Sequence, residues 1–347
     1  MTAMSKLEAE QPIETYRVSQ DISFNWEYDS SRERLMRLYE HAKRDQWNAT
    51  ERLDWSIDVD PESEIIPDAG IGIFGTPMWD ALDDKQRRRL RHEALSWQLS
   101  QFLHGEQGAL LATAQVVDTV PWYEAKQYGA TQVMDEARHV EVYRRFLQEK
   151  VEDHYPINPE LKKLLDTILT DSRWDMKFLG MQIMVEGLAL AAFSVMRDTT
   201  TNALLRDLTA AVMEDEARHV AFGVLSLREF CAEMSEKERT EREDFVYEAA
   251  VLMRDRLLNR EVWDRMGMDA DACVEASLNS PLMIEFRRRL FSKIVPNVKS
   301  LGLLSDRQRE RFAELGILEF EHNTTSDVDQ DIAEEQRIRS GEAQLSA

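Results

Sequence analysis

The chain has 347 residues, with 43 Lys and Arg against 65 Asp and Glu, for a formal net charge of −22. So acidic a surface is repelled by phosphate backbones, which argues against a nucleic-acid partner. A hydrophobic content of 43% with only 13 Gly and 9 Pro excludes a collagen-like or largely disordered chain. Two cysteines, Cys231 and Cys273, cannot build a disulfide framework, and the first 20 residues lack the apolar stretch of a signal peptide, so a cytoplasmic protein is expected.

Helical periodicity dominates and no stretch alternates as a strand would, which predicts an all-α fold. Residues 1–30 read as a poorly ordered lead-in, and residues 31–320 as one helical domain without a linker rich in Gly, Ser or Pro. A first helix is expected over 31–47, then an irregular segment over 58–76 punctuated by Pro61, Pro67, Gly70, Gly72 and Gly75. Thr76 before Pro77 reads as the cap and first position of a long helix reaching about Thr119. Its basic run, Arg87, Arg88, Arg89 and Arg91, reads as a solvated face.

A helix over 122–154 follows Pro121 and is closed by Pro156 and Pro159, and a short one fits 160–170. The next, over 172–197, is the most apolar. It carries Gln182 and Glu186 in a stretch short for a membrane span, so it is expected to be buried in the fold, with no membrane partner. The polar residues 198–202 form a turn before a helix over 203–234. Less buried helices are expected over 237–266, 281–295 and 306–315. From Glu321 to residue 347 the polar composition predicts a mobile acidic tail.

One pentapeptide occurs twice: Asp135-Glu136-Ala137-Arg138-His139 and Asp215-Glu216-Ala217-Arg218-His219. Thirty residues upstream of each Glu is another Glu, Glu106 and Glu186, in an apolar helix rich in small residues. Glu and His three apart share one helix face. Pro121 lies midway between Glu106 and Glu136, and Thr201 midway between Glu186 and Glu216. At 1.5 Å per residue, each chain half runs about 22 Å out and about 22 Å back, which returns its two Glu to one level. Two such hairpins packed together, over about 83–234, would converge Glu106, Glu136, His139, Glu186, Glu216 and His219. That set of four Glu and two His is the di-metal carboxylate arrangement. Its hard oxygens and single imidazole per metal suit iron or manganese better than structural zinc. An unpaired Glu in each of two apolar helices would otherwise carry a large desolvation cost. A third Glu-x-x-His, Glu319 to His322, has no upstream Glu and no copy, and is assigned to chance.

Asp135 and Asp215 lie four residues before the two His, so each can hold the far nitrogen of a ligating ring, its own or the one across the bundle. Arg138 and Arg218 could balance those Asp charges. The small residues Gly105, Gly108, Ala109, Ala112, Gly187, Ala189 and Ala191 either leave space for O2 and a small substrate or permit close helix packing.

The doubled motif, over residues 95–230, resembles the ferritin-like di-iron carboxylate superfamily, most nearly the multicomponent monooxygenase hydroxylases and the aminobenzoate N-oxygenases. The resemblance implies a ferritin-like four-helix bundle with additional flanking helices. It also implies two Fe ions, or one Mn and one Fe, on Glu106, Glu136, His139, Glu186, Glu216 and His219. The expected activity is O2-dependent oxidation of a small organic molecule: hydroxylation, N-oxygenation or desaturation. Two positions depart from the pattern. Where the aminobenzoate N-oxygenases carry an extra His, this chain has Val212, so N-oxygenation is not implied. Where the hydroxylases carry a Thr, it has Leu190.

The small subunit of ribonucleotide reductase is the rival resemblance, because Tyr143, four residues after His139, occupies its radical position. That family starts with an Asp ligand and docks its partner through a C-terminal aromatic. Here the first Glu is Glu106, and no aromatic follows Phe320. Ferroxidase or iron storage is a weaker alternative, since helices beyond Met234 would obstruct a cage. With no dinucleotide fingerprint and too few Cys for an iron–sulfur cluster, electrons are expected from a ferredoxin or flavin reductase. A homodimer is the expected oligomer.

Overall fold

Asp83 decides where the bundle begins. Its carboxylate accepts a hydrogen bond from Gln86 N at 2.8 Å, and the Gln86 side chain accepts one from Asp83 N at 2.9 Å. This reciprocal cap starts a helix at Asp84. Thr76 caps only one turn, Pro77–Asp80, so the long helix expected from Thr76 is two helices. The computed structural model describes residues 14–325 apart from Glu27 and Ser30, and every regular element among them is helical. The fold is all-α and ferritin-like.

The first helix, α1, is Glu33–Arg44. The bundle consists of α2 (Asp84–Thr119), α3 (Tyr123–Phe146), α5 (Trp174–Thr199) and α6 (Ala203–Glu233), with α4 (Pro159–Thr170) crossing between its halves. α2 packs on α3 and α5 on α6, and the two hairpins meet through α3 and α6 and through α2 and α5. The breaks fall at Val120–Trp122 and at Thr200–Asn202, where the sequence places them; Asn202 caps α6 by accepting from Leu205 N at 2.9 Å. α1 buries Leu35, Leu38 and Ala42 across α3 and α6, and so delivers Gln46 and Trp47 to the bundle flank.

Among the described residues, two helices contain a π turn. One, Leu147–Val151, ends α3 at Glu152, whose positive φ of 58° stops it before the expected end near 154. The other, Leu179–Val185, lies inside α5 directly before Glu186. π turns concentrate at functional sites because they re-aim the side chains that follow. α5 is long and apolar enough to cross a membrane by composition, but 78% of its apolar window is buried inside the fold.

Helices α7 (Glu236–Asp255), α8 (Arg260–Met266), α9 (Ala270–Asn279), α10 (Pro281–Arg289), α11 (Ile294–Ser300) and α12 (Asp306–Glu314) flank the bundle. The helix expected over 237–266 is interrupted at Asn259, whose φ is +54°. The one expected over 281–295 breaks after Arg289, and α9, capped by Asp269, was not anticipated.

Of the small residues, Gly108 and Gly187 serve packing, whereas a Cβ on Gly105 would meet nothing within 4 Å. A Cβ on Gly108 would lie 2.6 Å from Leu165 of α4, and one on Gly187 would lie 3.2 Å from Ile294 of α11. Residues 14–26 have no regular structure, yet Tyr16 Oη donates to Asp166 at 2.5 Å and Ser23 N to Asp118 O at 3.0 Å. The remainder of the expected lead-in, residues 1–13, Glu27 and Ser30, and residues 326–347 of the expected tail lie outside the described residues.

Candidate metal centre

All six side chains singled out in the sequence are buried and meet in the bundle interior. α2 supplies Glu106, α3 supplies Glu136 and His139, α5 supplies Glu186, and α6 supplies Glu216 and His219. Their donor atoms form two overlapping sets, each within 4.8 Å: Glu106, Glu136, His139 and Glu216 in one, and Glu136, Glu186 and His219 in the other. His139 Nδ1 is 3.2 Å from Glu106 and from Glu216. His219 Nδ1 is 3.1 Å from Glu136 and 3.5 Å from Glu216.

The outer nitrogens are held across the bundle. His139 Nε2 lies 3.0 Å from Asp215 Oδ2, and His219 Nε2 lies 3.3 Å from Asp135 Oδ2. A carboxylate there fixes Nε2 as the protonated nitrogen and leaves the Nδ1 lone pair facing the cluster. Arg138 is buried, bonded to its own Asp135 and, at 2.8 Å, to Asp215. Arg218, also buried, is bonded to Asp215. The Asp and Arg of both pentapeptides thus form one buried network.

Three members of this network went unnoticed in the sequence. Trp47 Nε1 donates to Asp215 at 2.9 Å. Gln46 donates to Asp135 at 2.8 Å and accepts from Arg138 at 2.8 Å. Both follow α1, Gln46 lying 89 and 92 residues before its partners and Trp47 168 before its own, and no local pattern links them to the network. Gln132 Nε2 donates to Glu136 and to Glu186, both at 3.0 Å. Its position one turn before Glu136 was the available signal. The chance motif is separate: His322 is 77% exposed and pairs with its neighbour Glu321.

Electrostatics mark the cluster as short of positive charge. Burial, then Glu216, lifts Glu106 to about 8. Burial, then Glu136 and Glu216, holds Glu186 well above the ordinary carboxylate range. For Glu136 burial acts in the same direction, but His219 and His139 outweigh it and drive the group down. Burial opposes charge on both rings, yet Glu106 at His139 and Glu136 at His219 raise them well above the ordinary imidazole value. Glu136 Oε2, Glu186 Oε2, Glu216 Oε2 and His219 Nδ1 are buried without a hydrogen-bond partner. Orphaned acceptors of this kind are costly in an interior. Divalent cations fit the donor set, since they would compete with the shared protons and satisfy these atoms together.

Aromatic side chains seal one flank. The Phe102 ring lies 4.7 Å from Phe193 and 5.7 Å from Tyr143. Tyr143 is fully buried, and its hydroxyl has no hydrogen-bond partner. Val212, where an additional His was sought, is fully buried and apolar.

Among solved structures, two variants of an R2-like ligand-binding oxidase with anaerobically reconstituted Mn/Fe cofactor align with 74% of this chain and 92% of theirs. Their identities are 17% and 18%, with TM-scores of 0.45 and 0.46. Likeness at that level carries no argument about chemistry. No curated protein matches in sequence. The family model of p-aminobenzoate N-oxygenase AurF matches residues 29–302, which span the whole bundle and the flanking helices as far as α11. With that match over a buried cluster of carboxylates and imidazoles, the chain belongs to the AurF p-aminobenzoate N-oxygenase family and is a ferritin-like, O2-activating di-iron oxidoreductase of small organic molecules.

Proposed function

We propose that Glu106, Glu136, His139 and Glu216 hold one iron and that Glu136, Glu186 and His219 hold the second, in an enzyme reduced by an external electron donor in the cytoplasm. The observation that carries the assignment is the set of buried, unpartnered acceptors on Glu136, Glu186, Glu216 and His219. When bound, the irons supply the redox chemistry, the reduction of O2 coupled to oxidation of the substrate. The chain's own residues position and shield. Asp215 and Asp135 set the His tautomers, Gln132 orients Glu136 and Glu186, and Phe102, Phe193 and Tyr143 keep water from one flank.

A cavity of about 270 Å³ opens beside the centre, between α2 and α5, and Phe102 and Leu188 form part of its wall. Phe102 stands one turn before Glu106, and Leu188 two residues after Glu186, so a substrate admitted here lies level with the cluster. The expected reaction is oxygenation or desaturation. Val212, in place of an imidazole, separates this chain from the family's named N-oxygenation of an arylamine. The donor is a ferredoxin or flavin reductase, since both Cys are buried and free. The basic run on α2 offers a donor less charge than its sequence implies, because Arg91 is locked to Asp68 by bonds of 2.7 and 2.6 Å.

The test is metal content and O2 uptake. Iron-loaded protein is expected to hold about two irons per chain. Supplied with reductant and a metabolite extract, it should give a product heavier by one oxygen atom or lighter by two hydrogens in mass spectrometry. Protein that stays iron-free in ample iron and manganese refutes the assignment. A second reading rests on Tyr143, buried with an unpartnered hydroxyl beside the centre. Aerobic iron loading would then give a radical EPR signal that Tyr143→Phe abolishes.

A further inference from the structure

A second cavity, of about 210 Å³, lies between the end of α7, α10 and the turn after α12. Arg254, Arg287 and Arg288 line it against a single acid, Glu314. On a chain with 65 acidic and 43 basic residues, such a wall reverses the overall charge locally. The three guanidiniums are not equally engaged. Arg288 is held on all sides: its Nε donates to Gly316 O at 2.6 Å, and its Nη groups donate to Glu285 at 3.3 Å and to Glu319. Arg254 meets Asp255 through Nε at 2.6 Å, and neither of its Nη groups has a partner among the described residues. Arg287 is 6% exposed and has no carboxylate partner. Its Nη groups donate to the carbonyls of Ser277 and Leu278 at 3.1 and 3.2 Å, and its Nε donates to nothing among the described residues.

The two carbonyls fix the fork of Arg287 against the end of α9 but leave its charge without a counter-charge. Burial, then the charge of Arg254, pushes Arg287 below the ordinary guanidinium value, and Asp255 opposes that shift less strongly. Two guanidiniums thus stand close enough to repel each other at one cavity, with N–H groups left over and no carboxylate bridging them. An oxyanion seated between them would offset the repulsion and take those donors, and planar guanidinium forks suit a phosphate best. The position matters as well. α10 presents Met283 and Phe286 to the cavity beside the metal centre and Ile284 and Arg287 to this one. At the end of α7, Arg254 lines this cavity and Arg256 the other. A ligand bound here bears on a wall of the first cavity without entering it.

We propose that this second cavity is a binding site for a phosphate group, free or as a phosphomonoester, held between Arg254 and Arg287 and ordering α10 from behind. The organic body of a phosphomonoester would lie on Ile284 and Phe291. The site goes beyond the oxidase reading and does not depend on it.

The test is calorimetric titration of the full-length, iron-loaded protein with inorganic phosphate and with phenyl phosphate, at about 0.15 M NaCl so that unspecific attraction is screened. Saturable binding at millimolar concentration or below is expected for at least one probe. Equal affinities mark free phosphate as the ligand, and tighter phenyl phosphate marks a phosphomonoester. Arg254→Met should weaken binding about ten-fold or more, the range of one charge-assisted bond. Arg287→Met should weaken it too, but it also frees the carbonyls at the end of α9, so the half-exposed Arg254 decides if that variant folds poorly. Arg289→Met, on the same helix but outside the wall, should leave the affinity unchanged. Hydrogen exchange with ligand bound should slow over residues 281–289 and 254–258. No saturation by either probe up to about 10 mM, or protection confined to other segments, would overturn the proposal. So would an unchanged affinity in Arg254→Met, the result expected if phosphate binds the irons instead.

Discussion

The two hairpins of the bundle carry the same donor residues 80 positions apart, yet the positions between them have diverged in a consistent way. One turn before the Glu-x-x-His, the first hairpin has Gln132, which bonds Glu136 and Glu186; the second has Val212, fully buried and apolar. One turn after the His, the first has Tyr143 and the second Gly223, where a Cβ would lie 2.6 Å from Gln182 Cβ. One turn before the upstream Glu, the first has Phe102 in a regular helix and the second Gln182 in a π turn. The residues that face the centre are held fixed by a shared task. Their neighbours answer to different surroundings: a cavity and aromatic wall beside Glu106, and tight packing of α5 on α6 beside Glu186. The surroundings of the two donor sets are therefore chemically unequal although their residues repeat.

The largest expected effect strikes what the hairpins share. Glu136 belongs to both donor sets, so Glu136→Ala should lower bound iron from about two per chain to below one, with O2 uptake at background. Glu319→Ala, in the unpaired copy, should leave both unchanged. Retention of both irons by Glu136→Ala would refute the shared position.

Next come substitutions at and beside the positions where the hairpins differ. Gly223→Ala forces Gln182 and the π turn to shift, and should destabilise the protein by about 1–3 kcal/mol in chemical denaturation, as overpacking does. Gln132→Val copies the second hairpin into the first and deprives two buried carboxylates of a donor. A loss of about 1–2 kcal/mol is expected, with the metal-free protein the more affected form. An unchanged denaturation midpoint would mean that Gln132 does not orient Glu136 and Glu186. Trp47→Phe removes one donor from Asp215, which keeps His139, Arg138 and Arg218. Iron affinity should fall about ten-fold, the lower end for an outer partner of a ligating His, as measured by competition with a chelator.

The chain halves also explain what was legible. Glu, His, Asp and Arg at fixed spacing on long helices give positions that helix geometry alone converts to contacts, so the bundle, its two turns and the six inward side chains follow from the sequence. Trp47 and Gln46 reach the centre from a helix far away in sequence, and nothing local announces a contact of that range. The π turn before Glu186 leaves no mark in a pattern of apolar residues, since π and α turns bury the same types. The helix expected from Thr76 failed because two cap signals, Thr76 and Asp83, stand seven residues apart, and the reciprocal Asp83–Gln86 pair defines the longer helix.

The smallest effect compares one further pair of corresponding positions, Trp97 and Lys177. Trp97 is nearly buried and satisfied by Glu261 at 3.0 Å. Lys177 is fully buried, its ammonium held by Gln115 at 2.5 Å and, more weakly, by the last carbonyls of α4, Ile168 O at 3.3 Å and Leu169 O at 3.4 Å. Burial pushes the Lys177 ammonium down to about 8 from an ordinary value of 10.5, because neutral dipoles do not replace the lost water. Below pH 8 both folded and unfolded chains carry the proton, and the folded state bears the full cost of the buried charge. Between pH 8 and 10.5 the unfolded chain still binds the proton and the folded chain does not, so stability rises with pH across this window. Lys177→Met removes the group and should flatten that rise by at most about one proton's worth of slope, read as the difference between variant and wild type in urea midpoints from pH 7.5 to 10.5. Parallel curves would show that the ammonium is as well solvated inside the fold as outside it, and that α5, unlike α2, admits water at the turn where it enters the bundle.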